Sequence, residues 1–238
     1  MTDASDRLAA TRALVTVATQ RLVGDTIGVN DPSWCEPSRL PHWSRGHVAT
    51  HLARNADGVR RLTEWARTGE RHEMYASAQV REEEIEAGAG RSGLELQIDL
   101  DTSAERLTEG FSALDEADAW EREVELRGGQ RLAARLLPVA RLTEVVLHHV
   151  DLDIGYEVSD IDNETADFVL EWSAHRLGVR DEFPRLQLRS DTGLHTDLGG
   201  GGSPRTVTGS SSALLGWLTG RATPDTVRGA GDLVLPGL

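Results

Sequence analysis

Residues 44–69 read SRGHVATHLARNADGVRRLTEWARTG. Ser44 stands where a helix N-cap belongs, because its hydroxyl can accept from a backbone N–H of the first turn. Val48, Leu52, Val59 and Leu62 follow at helical spacing, and Gly69 supplies a C-terminal cap. The stretch predicts one long amphipathic helix, and similar stripes flank it. From Asp6 to Val23 the positions Leu8, Thr11, Val15, Ala18 and Leu22 recur every three or four residues. A loop rich in Gly, Asn, Asp and Pro covers residues 24–41. Residues 78–87 read as a short acidic helix. Ser92 to about Asp115 carries Leu96, Leu100, Leu107, Phe111 and Leu114 and predicts a further long helix. The fourth runs from Ala133 to Leu152 with Pro138 inside the pattern, so it starts near the proline or kinks there. Between the last two, residues 121–132 alternate around Gly128-Gly129 and predict a small hairpin. Four striped helices imply an antiparallel bundle.

The pattern changes after about Ser159. Residues 166–177 read as a helix, residues 185–190 and 193–198 as paired strands, and residues 205–208 as a third strand. A helix over residues 211–219 closes at Gly220, and the tail from Thr226 adds a strand. The expected class is α+β with two domains: a four-helix bundle with an inserted hairpin over residues 1–158, and a small α+β domain over residues 159–238. The boundary falls near residues 155–163.

Charge and composition exclude several roles. Among 238 residues, 25 basic side chains face 39 acidic ones, a formal net charge of −14. Such a chain is poorly suited to a phosphate backbone or an anionic membrane. No apolar run approaches the ~18 residues of a spanning helix, and the N-terminus lacks the pattern of a signal peptide. The single cysteine, Cys35, forms no internal disulfide, so the expected compartment is a reducing cytoplasm. All the basic residues are arginine, which removes lysine amine chemistry.

Two segments carry metal-ligand spacing. Glu144 and His148 sit at i and i+4, on one helical face, among Val145, Val146, Leu147 and Val150. A carboxylate and an imidazole in so apolar a segment need partners. His47 and His51 repeat the spacing on the second long helix. Together they offer three or four ligands from two helices, suited to Zn²⁺ or another divalent transition metal. His149 lies about 100° around its helix from His148 and reads as a packing or surface residue. Asp151, at i+3 from His148, is either an acceptor behind that imidazole or a solvated acid. Cys35 has no evident activating neighbour. The glycine run at residues 199–202 fits neither a phosphate-binding loop nor a dinucleotide fingerprint.

Further motifs sharpen this reading. Leu40-Pro-His-Trp43, Gly46–Asn55, His72–Tyr75 and Glu144-x-x-x-His148-x-x-Asp151-Leu152 resemble the mycothiol-dependent maleylpyruvate isomerases, within the DinB-like metalloenzyme superfamily. Residues 207–210 and 218–221 resemble that family's second domain, a small sterol-carrier-like module. The stretch Met74–Gly88 is similar to a segment more specific to the isomerases. The resemblance covers nearly the whole chain. It implies Zn²⁺ held by His51, Glu144 and His148, with His47 outside the ligand set. It also implies a functional arginine, Arg221, after the last helix. Mycothiol is then the thiol cosubstrate and maleylpyruvate the substrate, in gentisate catabolism. With Arg221 on the second domain, the expected site lies between domains.

The implied chemistry is cis–trans isomerisation by reversible thiol addition, carried out by a cytoplasmic monomer that acts on small molecules. Two other readings remain open at this stage. One is a mycothiol S-transferase acting on another electrophile. The other is a non-catalytic module that binds small apolar ligands.

Overall fold

The computed structural model describes residues 2–236. The chain is mixed α+β and divides into two compact units between Gly155 and Tyr156. Among the described residues, no helix is long and apolar enough to cross a membrane.

The first unit contains α1 (Thr2–Thr26), α2 (Asp31–Trp34), α3 (Arg45–Thr68), α4 (Ala78–Ala89), α5 (Gly93–Glu116) and α6 (Leu137–Asp151). A hairpin of β1 (Glu123–Glu125) and β2 (Arg131–Ala133) joins α5 to α6, with Val124 opposite Leu132. Helix α3 packs against α5, α4 and α6, and α1 lies against α6 and α5. Leu22, Val48, Leu52, Leu96, Leu100, Val145 and Leu152 meet in the core at 2% exposure or less. Leu22, Val48, Leu52, Leu96 and Leu100 belong to the expected stripes, so there periodicity and burial agree.

Local chemistry sets the helix ends. Ser44 and Ser92 each form a reciprocal capping box, with His47 and Glu95 as their partners. Pro138 stands in the first turn of α6, after one turn of 3-10 helix at Ala134–Leu136. There its missing N–H leaves no intrahelical bond unmade, so the helix starts at the proline.

One segment departs from expectation. The loop expected over residues 24–41 contains α2, capped by the Asn30 side chain, and that turn buries Trp34 completely in the core. The polar composition of the segment hid one large apolar anchor.

The seam between α3 and α4 depends on two glycines. A Cβ at Gly46 would collide with the carbonyl oxygen of Ala89, and one at Gly88 with the Thr50 side chain. The two helices therefore approach more closely than side chains would permit.

The second unit contains a 3-10 turn at Val158–Asp160, α7 (Asn163–Gly178), β3 (Leu186–Ser190), β4 (His195–Leu198), β5 (Arg205–Gly209) and α8 (Ser211–Leu218). Strand β3 is central, antiparallel to β4 and parallel to β5. The buried positions Leu186 and Leu188 pair with Leu198 and Thr196 on one side, and with Arg205 and Val207 on the other. Helix α7 packs against α8 and β4, and α8 also lies against β3 and β5.

The tail forms no strand among the described residues. It makes a 3-10 turn at Pro224–Thr226 and a single bridge from Arg228 to Thr208. Gly229 and Gly231, both at positive φ, end the extended run. Residues 237–238 of the expected strand lie outside the described residues.

The α3–α4 seam yields a stability prediction. Gly46→Ala should cost about 1–3 kcal/mol in urea unfolding, because the new methyl meets backbone that cannot step aside. Gly24→Ala, a helical position with nothing within 4 Å of the added methyl, should be neutral or stabilising by up to about 1 kcal/mol.

Candidate metal centre

His51 projects from α3, and Glu144 and His148 project from α6 one turn apart. The packing of α3 on α6 turns these two faces toward each other. His51 Nε2 lies 2.9 Å from Glu144 Oε2 and 3.1 Å from His148 Nε2. His148 Nε2 lies 3.4 Å from the same carboxylate oxygen. Two nitrogen or oxygen ligands on a tetrahedral zinc ion are separated by ~3.4 Å, given bond lengths of ~2.0–2.1 Å. Three donors from two helices thus converge within a few tenths of an ångström of that separation, and the group could hold a metal ion. His51 is buried, whereas 35% of the Glu144 side chain is exposed, which leaves the cluster a face toward solvent.

The surroundings set the charge of each group. Burial pushes His51 down to about 4, against the pull of its hydrogen bond with Glu144, so the ring is neutral at pH 7. Burial alone would raise Glu144. The hydrogen bonds from His148 and His51 outweigh it and hold the carboxyl well below its usual range. Burial would likewise lower His148, but hydrogen bonds to Asp151 and Glu144 raise it above its ordinary value. Asp151 is 1% exposed, with Oδ2 2.8 Å from His148 Nδ1. It is therefore the acceptor behind that ring, which orients Nε2 into the cluster.

Two arginines escaped sequence reasoning. Arg141, 1% exposed, donates through Nη1 to Leu52 O and Asn55 Oδ1, both at 2.8 Å. It ties α6 to α3 one residue from His51. Arg81, from the first turn of α4, places Nη2 3.0 Å from His51 Nδ1 and its Cζ 5.6 Å from the centre of the Tyr75 ring. The only pointer to Arg81 was its place in the Met74–Gly88 stretch. Nothing in the spacing of Arg141 distinguishes it from a solvated arginine.

The other candidates are placed as follows. His47 stays out of the cluster: its Nδ1 accepts from Ser44 N at 3.1 Å, and its Nε2 lies 3.1 Å from Glu86. The structure thus brings His51, and not His47, to Glu144 and His148. His149 is buried and points away from the cluster's donor set, with Nε2 3.2 Å from Asp25 Oδ2. Cys35 is exposed at the C-terminal end of α2. Arg221 belongs to the second unit. It follows Gly220, and its Nη1 donates to Thr219 O at 3.0 Å. With Val158, Ser210 and Thr223 it lines a cavity of about 600 Å³ in that unit.

The profile of the mycothiol maleylpyruvate isomerase N-terminal domain matches residues 6–153. The chain belongs to this family. The match ends two residues beyond Asp151 and includes all three donors. Beyond the family domain, the chain is similar to the crystal structure of a mycothiol-dependent maleylpyruvate isomerase, at 27% identity and a TM-score of 0.84. It is similar also to a histidine-to-alanine mutant of a mycothiol-dependent maleylpyruvate isomerase, at 26% identity and a TM-score of 0.83. Each alignment covers 96% of this chain and 95% of the other. No curated protein matches the chain significantly.

The electrostatics of the cluster can be checked on metal-free protein. An NMR titration of the imidazoles should place the His51 midpoint near pH 4 and that of His148 above 6.5. Asp151→Asn takes away the negative charge that, with the hydrogen bond it supports, raises His148, so its midpoint should fall. Because the folded value exceeds the unfolded one, the stability His148 contributes is complete below pH 6.5 and fades as pH rises through the folded value. The parent's stability advantage over Asp151→Asn should shrink over that same window.

Proposed function

We propose that this protein converts maleylpyruvate to fumarylpyruvate with mycothiol as thiol cosubstrate, at a zinc ion held by His51, Glu144 and His148. The observation that carries the proposal is the convergence of these three donors, with Asp151 behind His148, in a chain of the mycothiol maleylpyruvate isomerase family. The same reading makes the first unit a DinB-like bundle and the second a sterol-carrier-like module. It places the reaction in gentisate breakdown in the cytoplasm.

The substrate has a cis C=C bond conjugated to carbonyl groups, and rotation about it requires loss of its π character. A thiolate that adds to the alkene forms a C–S bond and moves the π electrons onto the carbonyl oxygen as an enolate. The resulting single bond rotates. Collapse of the enolate re-forms C=C in the trans geometry and expels the thiolate, so the thiol is regenerated. Bound zinc would supply a Lewis acid that favours the ionised form of a thiol at neutral pH.

The chain's residues have separate tasks. Bound by these three protein donors, a zinc ion would have a position left for the thiol, as in catalytic rather than structural zinc sites. The partly exposed Glu144 side chain leaves the cluster a route to solvent by which a thiol would approach. Asp151 holds the His148 ring in the orientation that directs Nε2 inward. Cys35 has no activating partner, so the attacking sulfur comes from the cosubstrate. Arg221 pairs with a substrate carboxylate or the developing enolate oxygen, for which its planar fork is suited.

The deciding assay adds maleylpyruvate with and without mycothiol, to metal-loaded and metal-stripped protein. Trans product should appear only with thiol and metal together, and rapid isomerisation without mycothiol would overturn the proposal. His51→Ala should lose stoichiometric zinc and turnover while keeping the parent's circular dichroism spectrum.

Arg221→Lys separates two roles for that residue. A cation near the end of α8 gains only ~0.3–1 kcal/mol from the helix dipole, and lysine would keep that gain. If the fork binds substrate, lysine should cut turnover by about 100-fold, with zinc content and Tm near the parent's. A fully active Arg221→Lys protein would remove the bidentate role.

A further inference from the structure

The two imidazoles of the cluster are backed in opposite ways. Behind His148, Nδ1 faces a carboxylate, which accepts. Behind His51, Nδ1 faces the Arg81 guanidinium at 3.0 Å. A guanidinium has donors and no acceptor. It can bond Nδ1 only where that nitrogen presents its lone pair, and in a neutral ring the proton then sits on Nε2. The arrangement is self-consistent, because Nε2–H points at Glu144 Oε2, 2.9 Å away.

This is also the tautomer that cannot ligate through Nε2. A neutral imidazole that gives its Nε2 lone pair to a cation carries its proton on Nδ1 and needs an acceptor behind it. With Arg81 in place, two N–H donors would meet there. The Arg81–His51 hydrogen bond and a cation on His51 Nε2 therefore exclude each other. Arg81 is not confined to this contact: its side chain is partly exposed, and its guanidinium also lies over the Tyr75 ring.

We infer that Arg81 is a positioning residue that trades places with the metal: it holds His51 in the Nε2–H tautomer when no cation is bound and releases the ring when one binds. This inference rests on the assignment of His51 as a ligand. Arg81 thereby lowers metal affinity while keeping the metal-free cluster fully hydrogen-bonded.

The test is zinc affinity, by competition with a chelator, for the parent, Arg81→Met and Arg81→Gln. One hydrogen bond of ordinary net strength corresponds to about a tenfold change in affinity. Arg81→Met should bind zinc about tenfold more tightly than the parent. Arg81→Gln should match or exceed that, since its amide oxygen can accept from Nδ1–H. Imidazole ¹⁵N NMR of the metal-free parent at pH 7 should find the His51 proton on Nε2, and in Arg81→Met it should shift toward Nδ1. Unchanged or weaker zinc binding in both variants, or a parent His51 proton on Nδ1, overturns the inference. If those results occur while His51→Ala still loses zinc, the inference alone fails. If His51→Ala keeps its zinc, the ligand assignment fails with it.

Discussion

The hydrogen bond from Arg141 to the carbonyl of Leu52 is the constraint on which the cluster depends. A fully buried guanidinium must find acceptors, because an unpaired buried charge costs several kcal/mol. Arg141 finds them on the facing helix, at Leu52 O and Asn55 Oδ1. Burial lowers its pKa to about 10, which still leaves it charged at neutral pH. On α6, residues 141, 144 and 148 follow at i, i+3 and i+7 and therefore share one face. The bond that satisfies Arg141 thus also fixes the height at which Glu144 and His148 meet His51. Register between α3 and α6 is set by a polar group with few alternatives, where apolar packing alone would tolerate sliding.

The helices were legible because their signals are local. Ser44, Ser92 and Gly69 act within a turn of themselves, and the Leu and Val stripes repeat along each element. Glu144 and His148 were legible for the same reason, since their spacing lies within one helix. Whether His47 or His51 faces them depends on the rotation of α3 against α6, and spacing could not decide it. The family resemblance pointed to His51, and in the structure it is His51 that faces them while His47 is engaged by Ser44 and Glu86. Trp34 was lost in a polar segment because its burial comes from distant helices. The expected tail strand failed because a run of extended residues becomes a strand only with a partner, and Arg228 alone finds one. Arg141 had no sequence signal and Arg81 only its place in the Met74–Gly88 stretch, since an arginine reads as solvated until a partner is placed beside it.

The absence of lysine acquires meaning at these positions. In a chain of net charge −14, the cluster nonetheless has two cations near it, Arg81 against His51 and Arg141 within electrostatic reach of Glu144. A lysine as buried as Arg141 could lose its proton, because burial lowers its pKa from a much lower start. Arginine keeps the positive charge there through any physiological pH. That charge attracts the Glu144 carboxylate, which the hydrogen bonds from His148 and His51 already hold ionised.

The glycine seam between α3 and α4 limits how Arg81 can move. With Gly46 against the Ala89 carbonyl and Gly88 against the short Thr50 side chain, there is little side-chain cushion to compress or slide. Helix α4 is effectively welded to α3 near His51, and Arg81 can reach or leave that ring only by rotation about its own side-chain bonds. Rotamer changes of exposed side chains take picoseconds to nanoseconds, whereas collective helix shifts take microseconds or longer. Exchange of Arg81 at His51 is therefore a fast local event on a rigid frame, and capture of a cation need not wait for the backbone.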